Sequence, residues 1–129
     1  MSANTVPRYT ESVVLGMAQI STANTNRDGT GTLGTVHTAG EHGSRIDLIR
    51  VVGTGTTTAG VVRIFVDDGS NVRLLKEILV DAITPSTSIE VFTDEYQPTE
   101  PLLMPATWIL KASTHNAEAF NVFAIGGDY

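Results

Sequence analysis

Residues 62–80, "VRIFVDDGSNVRLLKEILV", decide between an all-β chain and a mixed one. Leu74, Leu75, Ile78 and Leu79 sit at i, i+1, i+4 and i+5, which suits a short helix. Yet Val62, Ile64 and Val66 alternate before Asp68-Gly69, and Val72, Leu74, Lys76 and Ile78 alternate after it. The segment has the length and central turn of a β-hairpin, and Asp-Gly is a strong signal for one. The spacing therefore favours a strand over 71–80, with the helix as the competing reading.

Working outward, the rest of the chain repeats the pattern of period 2, or of short apolar runs, without a sustained period of 3.6. "SVVLGMAQIST" (12–22) reads as a first strand, bent at Gly16, and "LGTVHT" (33–38) as a short second one. The segment "TNRDGTGT" (25–32) between them is turn material, with Asp28-Gly29 as a hairpin signal. "AGEHG" is a loop. "SRIDLIRVV" (44–52) alternates, with Ile46 and Leu48 expected on one face and Asp47, Ile49 and Val51 on the other. "GTGTTTAG" (53–60) reads as a flexible turn, "DAITPSTS" as a loop and "IEVFTDE" (89–95) as a strand. The prolines of "YQPTEPLLMP" fit an edge or a wrapping connection rather than a central strand. "TWILKAST" (107–114) and "AFNVFAIGG" (119–127) read as a closing hairpin.

Composition agrees. Threonine is about one residue in seven and glycine 12 of 129. Threonine favours pleated, half-exposed surfaces, and glycine supplies turns of positive φ. The expected fold is all-β: a single-domain antiparallel β-sandwich or jelly roll of about eight strands, with a barrel as the alternative. Residues 1–12 read as an N-terminal arm and 13–129 as the sandwich domain. The arm is expected to be disordered in the free protein and to order on a partner.

The formal charge is −6, and Lys76 and Lys111 are the only lysines. No basic stripe exists for counterion release, so neither nucleic acid nor an anionic membrane is an expected partner. With no cysteine, disulfides, thiolate zinc and cysteine nucleophiles are excluded. No apolar run approaches the ~20 residues of a membrane span, and no secretion signal is visible. A soluble protein made in the cytoplasm is expected. Charged residues make up 17%, against about 25% in typical soluble domains. Surface is being committed to something other than water.

Several residues invite a chemical reading. Ser113, His115 and Glu118 are the residue types of a hydrolase triad. On an extended strand Ser113 and His115 would stand about 7 Å apart at the backbone, and no nucleophile elbow occurs. "STHNAE" is rich in residues that satisfy their own backbone in turns, so a turn is the preferred reading. "GTGTTTAG" lacks the lysine and the following helix of a phosphate loop. His37 and His42, with Glu41 between them, could form a loop-borne metal site, as could "DDGSN" (67–71), but neither supplies a full ligand set. Asp67-Asp68 and Asp94-Glu95 could be an acid–base couple, though adjacent acids on a strand point to opposite faces. The sequence thus predicts no enzyme, no catalytic or metal residue and no cofactor. Candidate contact residues are Val6, Pro7, Tyr9, Tyr96, Trp108 and Tyr129.

Two stretches, "SRIDLIRVVGTGTTTAGVVRIFVDDGSNVRLLKEILV" and "LKASTHNAEAFNVFAIGGDY", resemble small tailed-bacteriophage proteins that decorate capsids, also called cement proteins. The resemblance implies a jelly roll or β-sandwich, usually a homotrimer. Such a protein is seated on the outside of the virion, where it binds the major capsid protein and reinforces contacts between its subunits. A tail, neck or fibre-associated β domain is the nearest alternative, and a carbohydrate-binding β-sandwich module is another.

Overall fold

The computed structural model describes residues 9–129. Nine strands form among the described residues: β1 (Ser12–Ile20), β2 (Gly34–Thr38), β3 (Ser44–Gly53), β4 (Gly60–Asp67), β5 (Val72–Val80), β6 (Thr93–Tyr96), β7 (Leu102–Met104), β8 (Ile109–Thr114) and β9 (Phe120–Asp128). The ambiguous segment is a strand. β4 and β5 pair antiparallel through the turn at Asp68-Gly69, where Gly69 has a φ of 96° and the Asp68 carboxylate accepts the amides of Ser70 and Asn71.

The strands form two packed antiparallel sheets. The first has the order β1-β9-β3-β6, with β7 also on β3, and the second β2-β8-β4-β5. β6 and β7 pair with successive halves of β3 along one edge. They are one edge strand broken at residues 97–101, where Pro98 and Pro101 cannot donate to a ladder. Counted that way, the fold is an eight-stranded sandwich, and its interleaved order is that of a jelly roll. The core between the sheets holds Ile46, Ile49 and Val51 of β3, Val62 and Ile64 of β4, and Leu110, Phe120 and Val122 near the chain's end, all at most 1% exposed.

Several local expectations need correcting. β8 and β9 lie in different sheets, so 115–119 is a crossover and not a hairpin tip. Asp28-Gly29 does turn the chain, with Gly29 at a φ of 88°, but β1 and β2 also lie in different sheets, so no hairpin follows. In β3 the pairing with β9 shifts between Ile46 and Leu48. That bulge at Asp47 puts Ile46, Ile49 and Val51 on the core side and leaves Leu48 outward. β1 pairs with β9 without a break, so Gly16 interrupts no pairing. It is where the sheets approach: a Cβ there would lie 2.6 Å from the Val36 carbonyl oxygen on β2.

The segment 53–60 is also no free loop. Thr57 is 3% exposed, its amide bonds the Ile83 carbonyl at 2.9 Å, and its hydroxyl donates to the Asp81 carbonyl at 2.8 Å.

Candidate functional site

The second sheet is covered on its outside by its own chain. By register, Arg63 and Phe65 of β4 point outward, together with Ser113 of β8 and Glu77 of β5. Yet Phe65 is 0% and Arg63 1% exposed. The connection 21–33 lies across them. Ala23 bridges to Thr114 of β8, and a Cβ on Gly29 would meet Val72 of β5 at 2.8 Å. Asn24 holds this strap in shape: its side-chain amide donates to the carbonyls of Thr30 at 2.9 Å and Thr32 at 3.0 Å, while its oxygen accepts the Asn26 amide.

Arg63 fastens strap to sheet. Its guanidinium donates to Glu77 at 2.9 Å, to the Asn24 carbonyl at 3.3 Å and to His115 Nδ1 at 3.2 Å. Arginine can only donate, so Nδ1 of His115 is the accepting nitrogen and its proton sits on Nε2. Arg27 of the strap reaches the same Glu77 oxygen at 2.9 Å. The hydrogen bond from Arg27, supported by Arg63, holds the Glu77 carboxyl below its usual range.

These contacts place each member of the suspected triad. His115 is a hydrogen-bond partner of Arg63. Glu118 accepts from the Thr58 amide at 2.9 Å and from its hydroxyl. Ser113 is 1% exposed, and its hydroxyl has no hydrogen-bond partner among the described residues. No relay connects the three. Asn116 donates to Thr58 and to the Ala59 carbonyl, so the crossovers 115–119 and 53–60 clasp one another at one end of the sandwich.

A cluster with the same residue types, not visible in the sequence, lies elsewhere. Ser44 of β3 donates its hydroxyl proton to Asp128 of β9, and His37 Nε2 of β2 lies 2.8 Å from Ser44 Oγ and 3.4 Å from the Asp128 carboxylate. A hydroxyl has one proton. With that proton on the carboxylate side, the imidazole must be the donor, which is the reverse of a general base. Ser44 is also 0% exposed. The cluster pegs β2 of one sheet to β3 and β9 of the other. Nothing in the local sequence could have revealed it, since Ser44 and Asp128 are 84 residues apart. The nearby depression, about 420 Å³ and bordered by His42, Ser44, Leu103, Met104, Pro105 and Tyr129, is shallow.

The metal candidates separate. His37 belongs to that peg, His42 reaches only Glu41, at 3.2 Å, and Asp67 is bound to Lys111 at 2.9 Å. That hydrogen bond and the Gly69 amide keep the Asp67 carboxyl low. Among the described residues no group of three or more His, Cys, Asp or Glu side chains could hold a metal ion. The cations are largely occupied too: Arg27, Arg45, Arg50, Arg63 and Lys111 each have a carboxylate within 2.9 Å.

Of the contact candidates, Val6 and Pro7 lie outside the described residues, as does the arm up to residue 8. Tyr9 is 77% exposed. Tyr96 and Trp108 pack against the core, and Lys76 sits over the Tyr96 ring. Tyr129 is half-buried, its amide bonded to the Gly43 carbonyl.

The surface that sequence reading missed is the outer face of the first sheet. Val13, Leu15 and Met17 of β1 are 97%, 64% and 69% exposed. Register sets them beside Gly127, Ile125 and Phe123 of β9, and these beside Arg45, Leu48 and Arg50 of β3. The outcome is an apolar sheet face that no described residue covers. Its signal was present in "SVVLGMAQIST", whose odd and even positions are both apolar, but a strand buried on both sides reads the same way.

Comparison with protein-family models gives no match, and neither does comparison with curated proteins.

Proposed function

We propose that this chain is a structural assembly protein that works by contact with other protein, of the phage capsid decoration kind that its sequence resembles. It would bind the major capsid protein on the outside of the virion as a homo-oligomer, a trimer by that resemblance, and stiffen contacts between shell subunits. The observation that carries this reading is the apolar face on β1, β9 and β3, which no described segment covers. Monomeric proteins seldom leave a large contiguous apolar surface bare unless something binds there.

Other features support it. The serines, histidines and acids that could have done chemistry are largely spent on holding strap, crossovers and sheets together. The resembling stretches, 44–80 and 110–129, supply β3, β4, β5 and β9 and most of β8, so they form the middle of both sheets. With its cations mostly tied to its own carboxylates, the chain offers little to phosphate backbones. A glycan platform needs rings laid open on one face, and Trp108 and Tyr96 are packed on the core instead.

The test is to mix the purified protein with undecorated shells of the phage that encodes it. Co-sedimentation at a fixed ratio, with shells more resistant to heat rupture, is the expected result. Protein that stays in the supernatant at micromolar concentration overturns the capsid reading and leaves tail or neck structures to be tried by the same assay.

A further inference from the structure

We propose that the outer face of the first sheet, centred on Leu15, Met17, Phe123 and Ile125, is where a second copy of this chain seats. The inference rests on the reading of the chain as an assembly protein, and it assigns that protein's self-contact to a surface.

Size is the first support. β1 is nine residues long, so at about 3.4 Å per residue and about 4.8 Å between strands the face measures about 30 Å by about 15 Å. Side chains standing on that footprint bring its accessible area to the order of the ~800 Å² per partner of a stable interface. Its composition is that of an interface core, apolar with charges at the side.

Charge selects the occupant. Arg45 lies 2.9 Å from Asp47, and Arg50 lies 2.8 Å from Glu95. These two cations and two anions cancel, so the whole formal charge of −6 lies on the rest of the chain. Copies of an acidic protein repel through most of their surfaces, and like charges brought together cost affinity. Here they can meet without that penalty. A neutral apolar face also has nothing to attract nucleic acid or an anionic lipid surface. In a pair or in a ring of copies alike, an apolar centre flanked by already satisfied ion pairs presents no unpaired charge to its neighbour. The equivalent face of the second sheet is closed by residues 21–33 and is not open to a copy.

The test is native mass by light scattering after size exclusion, on the full chain from micromolar to about hundredfold higher concentration. A multiple of 13.7 kDa is expected for the unaltered chain, and 13.7 kDa for Leu15→Glu with Met17→Glu. Leu79→Glu, at a position 72% exposed on β5, should keep the multiple. An unaltered chain that stays monomeric throughout overturns the inference, as does a multiple that survives in the double variant. Should the double variant not fold, Met17→Cys serves, because the chain has no other cysteine. Its reaction with a bulky maleimide should slow at least tenfold as concentration rises, and an unchanged rate overturns the proposal. Shell binding separates this idea from the functional reading. A monomer that still binds shells defeats only the self-contact, whereas a multimer that binds none defeats only the capsid role.

Discussion

The outer faces of the two sheets start from similar strands and end in opposite states. On the second, Phe65 points away from the core and is 0% exposed; on the first, Met17 points away and is 69% exposed. The difference lies in the connections and not in the strands. Residues 21–33 are long enough to fold back over β4 and β5, and Asn24, Arg27 and Arg63 pin them there. No described segment does this for β1 and β9. An outward position in a sandwich is therefore solvent, second core or interface according to what the neighbouring loop or partner does, and strand periodicity alone cannot tell which.

The sharpest way to break the contrast is a pair of truncations. Phe65→Ala should cost about 3–5 kcal/mol, the usual loss for an aromatic side chain in a packed site, read from the shift of a denaturant midpoint. Leu15→Ala, measured where the chain is monomeric, should stay within about 0.5 kcal/mol. Equal losses would mean that the two faces are not different after all. Next in size, Asn24→Ala should cost about 1–3 kcal/mol, because Thr30 and Thr32 lose the donor that satisfies their carbonyls. Amide exchange should then accelerate within 21–33 and hardly change in β1; uniform acceleration would show that the strap is not a separate unit.

A smaller effect should come from the turn at 105–108, where Trp108 bonds back to the Pro105 carbonyl and Thr107 holds a φ of 68°. A β-branched residue is strained there, so Thr107→Gly should raise stability by about 1 kcal/mol despite glycine's freer unfolded chain. A fall in the thermal midpoint would contradict that. The gentlest probe is acid. Glu77 is held below its ordinary value of 4.5 by Arg27 and Arg63, so its contribution is complete above that value and fades as pH drops through the lowered one. Glu77→Gln should be less stable than the native chain at neutral pH, with the gap closing under acid. A gap independent of pH would remove the ion pair from the account of the strap.

Much of this architecture was legible from local pattern. Alternation located most of the strands, including 72–80, because one buried face per strand leaves a period of 2 in the residues; the strand read over 89–95 begins only at Thr93, and Leu102–Met104 stood out only as an edge or a wrapping connection. Pairing was harder. Asp28-Gly29 and Asp68-Gly69 look alike, and both turn the chain. Only the second joins paired strands, since turn chemistry is local while the choice of sheet depends on distant partners. The same reason hid the bulge at Asp47 and the Ser44–Asp128–His37 peg. Ser113, His115 and Glu118 are near in sequence, but His115 meets Arg63, Glu118 meets Thr58, and the Ser113 hydroxyl is buried without a partner among the described residues. The low charge fraction hinted at surface given to something other than water, but the exposed face of β1 emerged only once β9 and β3 were set beside it.

The position of β9 has a consequence in time. It lies between β1 and β3, so among the described strands Val13 to Ile20 find their ladder partners in residues 120–127. Of the described strands, the first to be synthesised waits for the last. Closing so large a loop is entropically slow, and topologies dominated by distant pairings fold in milliseconds to seconds rather than microseconds. Through that interval β1 is a bare ribbon with apolar side chains and unmatched amides, which is the moment at which chains could join wrongly. Crowded expression at high temperature should therefore be harder on this protein than its finished stability suggests.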